Sequence, residues 1–168
     1  MRNFSIRRIA AAAVIGAVYA VLTLAFRPIA FGPLQCRVSE ALCVLPFLFP
    51  GSAWGLFVGC ALANLLGSAS ALDMVFGPLA TLLAAWLTSR APSRWLAPLP
   101  PVIVNALVVG AVLAYTDTQG GAAFLPIFLV YAAQIGAGEM AACYALGLPL
   151  LSVIERIPVL GRYLGEGR

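Results

Sequence analysis

Eight side chains in an otherwise apolar chain are of types that could do chemistry: Arg37, Glu40, Asn64, Asp73, Asn105, Tyr131, Gln134 and Glu139. They lie in or next to long apolar runs, where an ionisable group costs about 2.5–3.5 kcal/mol and so calls for a partner, a cavity or a function. Glu139 is the clearest case. On a helix, Tyr131, Ile135 and Glu139 share one face at i, i+4 and i+8, with Gln134 beside Tyr131. Carboxylates pair with the N–H edge of a guanine-like ring or with an amine, amides read carbonyls and ring nitrogens, and aromatic faces stack on planar heterocycles. The set suits recognition of a planar polar ligand. Each residue also has a structural reading: Glu139 protonated or neutralised by Arg37, amides joining helices, Asp73 capping one, Arg37 and Glu40 as a surface ion pair.

Catalysis is poorly served. The chain has no histidine and its ten basic residues are all arginines, which removes histidine acid–base chemistry, histidine metal sites and the Walker A lysine together. Cys36, Cys43, Cys60 and Cys143 show no CxxC spacing and read as small core residues rather than as a disulfide framework or a zinc knuckle. With no nucleophile–base pair, metal-ligand set or phosphate loop, we expect no enzyme, no metal and no cofactor on this chain. Any energy source must then sit elsewhere.

The elements that must position these residues are membrane spans. The 168 residues are 62% hydrophobic and only 10% charged, against about 25% charged in an ordinary soluble domain, and the mean hydropathy is +1.01. Backbone groups in lipid must be satisfied internally, and the apolar runs are too long for barrel strands, so the expectation is an all-α membrane protein. The first apolar run follows Arg7 and Arg8 without a cleavage pattern and reads as a retained span from about Ile9 to Phe26. Its small residues Ala12, Gly16 and Ala20, or Ala13 and Ala17, recur every four positions and allow close helix approach. A loop from Arg27 to Ser39 precedes a second run, opened by Glu40 and shortened or kinked by Pro46 and Pro50.

A third span from Gly51 to about Leu72 carries the small ladder Gly55, Gly59, Ala63 and Gly67. Asp73 stands as the N-cap of a fourth span reaching Thr88, a fifth runs from about Val102 to Tyr115, and a tilted last span covers Ala123 to about Val153. Trp54 and Trp86 read as interfacial or packing aromatics. Arginines 2, 7, 8, 90, 94, 156, 162 and 168 fall on one side and only Arg27 and Arg37 on the other, which puts both termini in the cytoplasm. The expected architecture is one six-transmembrane-helix domain over residues 1–168, with short cytoplasmic tails at about 1–8 and 155–168.

Four stretches carry a resemblance: Gly32-Pro-Leu-Gln-Cys-Arg37-Val-Ser-Glu40-Ala-Leu, Leu45-Pro46-Phe47, Gly59-Cys-Ala-Leu-Ala-Asn64, and Asp73-Met-Val-Phe-Gly77-Pro-Leu-Ala-Thr81-Leu. Phe124-Leu-Pro126-Ile-Phe, Gly138-Glu139 and Gly147-Leu-Pro149-Leu extend it. In this order they resemble the QueT family, regarded as the queuosine-precursor S-components of energy-coupling-factor transporters. Members often carry phenylalanine where Cys36 stands. The resemblance implies a six-helix subunit in a bacterial plasma membrane that captures a 7-deazaguanine such as preQ0, preQ1 or queuine from outside. It implies as partners a transmembrane coupling subunit and two cytoplasmic ATPases, which would use ATP, with toppling of the whole subunit as the transport motion. Ala12, Ala13, Gly16, Ala17 and Ala20 would then face the coupling subunit, and the eight polar residues above would be ligand contacts. The competing expectation is a stand-alone helical channel or scaffold without an energising partner.

Overall fold

The computed structural model describes residues 6–31, 36–67 and 70–157. Arg2, Arg162 and Arg168 of the charge count, residues 32–35 of the motif run and most of the expected C-terminal tail lie outside them. The described residues form helices α1 (Ile6–Ala25), α2 (Arg27–Ala30), a 3₁₀ helix (Val38–Phe47), α3 (Ser52–Gly67), α4 (Ala71–Thr88), α5 (Leu99–Thr118) and α6 (Phe124–Met140). A π-helical segment (Ala141–Gly147) then leads without a break into α7 (Leu148–Glu155).

Four stretches are long and apolar enough to cross a membrane: α1, α4, α5 and the continuous run Phe124–Glu155. The 3₁₀ helix and α3 are apolar but shorter, about 20 Å and about 24 Å at their respective rises. All but the 3₁₀ helix carry exposed large apolar side chains outside the core, such as Val14, Val21, Leu65, Val75, Leu83, Ile103, Leu107, Leu125 and Leu129. Such a surface is stable against acyl chains rather than water.

Packing runs α1 on α3, α3 on α4, α4 on α5 and α5 on α6, and the 3₁₀ helix sits inside this arc against α1, α3, α4, α7 and the π segment. Lipid cannot hydrogen-bond an irregular backbone, so protein must cover it. That condition is met here, because eight of the ten residues of the 3₁₀ helix are buried. Gly147 permits the approach of the π segment, since a Cβ there would lie 2.9 Å from Val44 Cγ1 and 3.2 Å from the Ala41 carbonyl.

Local details differ from the sequence reading. The region Arg27–Ser39 contains α2 and the start of the 3₁₀ helix, and α3 ends at Gly67, short of Leu72. The N-cap of α4 is Ser70, whose hydroxyl accepts from the Asp73 N–H at 3.4 Å. Asp73 is therefore the third residue of the helix, and its carboxylate is free to turn into the bundle. At the α4–α5 turn, Arg90 stacks on Trp86 and Arg94 binds Glu155 at 3.6 Å and the Ser152 hydroxyl, which ties the turn to α7.

Candidate functional site

Three residues per turn in the 3₁₀ helix put Glu40 and Cys43 on one stripe continuing from Arg37. That stripe connects two polar groups inside the bundle. In the first, Arg37 Nη2 donates to Asp73 Oδ2 at 3.2 Å, with the two side chains only 6% and 2% exposed. Its Nε donates to the Ala30 carbonyl at 3.5 Å, and its guanidinium lies 5.0 Å from the Phe31 ring centroid. Asn64 Nδ2 donates to the backbone carbonyl of Asp73 at 2.9 Å, joining α3 to α4. Asn64 Oδ1 and Asp73 Oδ1 are buried without a partner. Gly77 makes room beside both residues: a Cβ there would fall 2.4 Å from Asn64 Nδ2 and 2.9 Å from Asp73 Oδ1.

The second group links α1, the 3₁₀ helix, α5, α6 and the π segment. Asn105 Nδ2 donates to Glu139 Oε1 at 2.8 Å, and Asn105 Oδ1 is buried and unpartnered. Glu40 accepts from the Tyr19 hydroxyl on Oε1 and from the Cys43 thiol on Oε2 at 2.8 Å. Cys143 donates to the backbone carbonyl of Glu40 at 3.3 Å and lies 3.7 Å from Glu139 Oε2, so one thiol links the 3₁₀ backbone to the Glu139 carboxyl. Thr23 and Ser39 hydroxyls meet at 2.6 Å next to this group. Leaving a buried acceptor unpaired costs about 1–3 kcal/mol. Three such acceptors gathered in one bundle interior mark places where a ligand's N–H groups would be stabilised.

The structure brings together Arg37, Glu40, Asn64, Asp73, Asn105 and Glu139, all nearly or fully buried. It does not bring Tyr131 with them. The Tyr131 hydroxyl donates to Asp117 at the far end of α5, and its side chain is partly exposed. Gln134 is half-buried on α6, and the hydrogen bonds of the two groups do not include it. The ion pair also differs from the sequence readings, because Arg37 pairs with Asp73 rather than with Glu40 or Glu139. The sequence reading passes over Tyr19, takes Cys43 and Cys143 as small core residues, and gives Ser39 and Gly77 no place among the candidate contacts. A lone tyrosine on an aliphatic first helix and a cysteine three residues after Glu40 were the available signals, and both needed the 3₁₀ geometry to be read.

The small-residue face of α1 divides in two. Gly16 and Ala20 are buried, and Cβ atoms on Gly55 and Gly59 would lie 2.0 Å and 2.4 Å from the carbonyls of Ala12 and Gly16. The Ala12–Gly16–Ala20 ridge is thus occupied by α3 of the same chain, whereas Ala13 and Ala17 are exposed on the other side.

A buried, acceptor-rich interior in a bundle with a lipid-compatible exterior suits a carrier of small polar molecules. The family model described as QueT transporter matches residues 9–156. This chain belongs to the QueT transporter family. The match spans α1 to α7 and includes every polar residue of both groups. No curated protein matches the chain, and no solved structure does. As a QueT-family member it is a multi-pass helical membrane protein of a transporter family, which places a small molecule among its binding partners.

Proposed function

We propose that the chain is the substrate-binding subunit of an energy-coupling-factor importer and captures a queuosine precursor, a 7-deazaguanine such as preQ0, preQ1 or queuine. The observation that carries this reading is the set of unpartnered buried acceptors, Asn64 Oδ1, Asp73 Oδ1 and Asn105 Oδ1, together with Glu139. A 7-deazaguanine presents ring and exocyclic N–H donors on a flat frame, which is the complement of such a set.

The chain would cross the membrane six times, the 3₁₀ helix and α3 serving as the two short crossings and both termini facing the cytoplasm. Its plasma-membrane partners would be a transmembrane coupling subunit and two ATPases that use ATP, and the exposed Ala13 and Ala17 remain free to meet the coupling subunit. Gln134 and Tyr131 would take second place to Asn105 and Glu139 in holding the ligand. The test is calorimetric titration of the purified chain with 7-deazaguanines. Saturable binding is the expected result, and silence toward all of them, with binding of an unrelated vitamin, would overturn the substrate.

A further inference from the structure

We infer that the α4–α5 turn is a binding site for an anionic phospholipid, held by Arg90 and the indoles of Trp86 and Trp95. The turn joins two helices long and apolar enough to cross a membrane, α4 ending at Thr88 and α5 starting at Leu99, so it lies at headgroup level whichever ligand the bundle carries. Trp86 and Trp95 are 49% and 66% exposed, and Leu87, Leu96 and Leu99 in the same stretch are exposed too. An indole, apolar in body with one N–H, belongs at that depth.

The two arginines of the turn are engaged differently. Arg94 Nη1 lies 3.6 Å from a Glu155 oxygen and its Nη2 donates to the Ser152 hydroxyl, so its charge is countered and it fastens the turn to α7. Arg90 is exposed, with its guanidinium carbon 3.7 Å from the centroid of the Trp86 ring. Stacking occupies the flat face of the guanidinium and leaves its N–H edge open, and that edge matches two oxygens of a phosphate. Charge favours an anion. Among the described residues, Glu40, Asp73 and Glu139 are buried in the bundle interior and Asp117 stands at the other end of α5, which leaves Glu155 as the acid at this turn. Arg90, Arg94 and Arg156 outnumber it. The turn is also preformed, because the Thr88 hydroxyl donates to the Ala97 carbonyl at 3.1 Å and the Tyr144 hydroxyl to the Trp95 carbonyl at 3.2 Å.

Native mass spectrometry of the full chain, titrated with phosphatidylglycerol, phosphatidylcholine of the same acyl chains, or inorganic phosphate, tests this site. Phosphatidylglycerol should bind at least about fivefold more tightly than phosphatidylcholine, the size of one cation's attraction to an anionic headgroup. Equal binding of the two lipids overturns the inference. Displacement of bound phosphatidylglycerol by inorganic phosphate at equal concentration overturns a lipid as the occupant. Arg90→Gln should remove most of the preference, whereas Arg27→Gln, which takes the same charge from an exposed residue just beyond α1, should keep it. An equal fall in both variants, or no fall in Arg90→Gln, overturns the assignment to this turn. No arm contains a 7-deazaguanine, so failure here leaves the substrate reading untouched.

Discussion

Arg37 and Asp73 form an ion pair of a kind whose energetics depend on both members being present. Removing one partner of a buried pair leaves an uncompensated charge and costs about 3–5 kcal/mol, more than the pair itself contributes. Arg37→Met should therefore lower the unfolding midpoint in detergent strongly, and adding Asp73→Asn should recover much of the loss without restoring ligand binding. Parallel melting curves of the single and double variants check this. Glu139 behaves differently, because Asn105 and the Cys143 thiol already share its oxygens. Glu139→Gln keeps the shape of the side chain, so its stability should stay within about 1 kcal/mol of wild type while ligand affinity falls at least about tenfold. Unchanged affinity in calorimetry would remove Glu139 from the site.

Irregular helices bring the polar groups together at the scale of elements. The narrow 3₁₀ helix aligns Arg37, Glu40 and Cys43, and the π segment that starts two residues after Glu139 presents Cys143 to the Glu139 carboxyl and the Glu40 backbone carbonyl. Gly147 holds these two elements at contact distance. Gly147→Val should thus weaken ligand binding without touching a ligand contact, a split that calorimetry and helicity measured on the same sample would reveal. The α1–α3 contact is as tight. A methyl group on Gly55 would meet the Ala12 carbonyl at 2.0 Å, and since neither backbone can yield, Gly55→Ala should destabilise the bundle by about 1–3 kcal/mol. Ala17→Val, on the exposed side of the same helix, should change stability by no more than about 0.5 kcal/mol. Denaturation in increasing dodecyl sulfate, followed by circular dichroism, separates the two.

For the whole molecule, an apolar exterior and an acceptor-rich interior divide the labour between membrane and ligand. If the exposed face of α1 meets a coupling subunit, the double variant Ala13→Leu/Ala17→Leu should bind ligand normally but no longer co-purify with a transmembrane partner and ATPases. Retention of those partners would move the contact to another face. Much of this organisation is legible in the sequence, because hydropathy and the need to satisfy backbone groups in lipid act residue by residue along the chain. Apolar stretches mark the helices, and a carboxylate or amide within them stands out at once, as Asn64, Asn105 and Glu139 do. Pairing is another matter. That Arg37 meets Asp73, 36 residues away, and not Glu40 three residues on, depends on how α4 is rotated against the 3₁₀ helix. Spacing along a helix placed Tyr131 with Glu139, but two turns of rise carry its hydroxyl to Asp117. The two small-residue ridges of α1 are equivalent in sequence, and only the approach of Gly55 and Gly59 decides which one is buried. Local sequence determined where the chain is helical and where it is polar, while the depth and rotation of each packed helix, set by contacts between distant residues, decided which polar groups share a site.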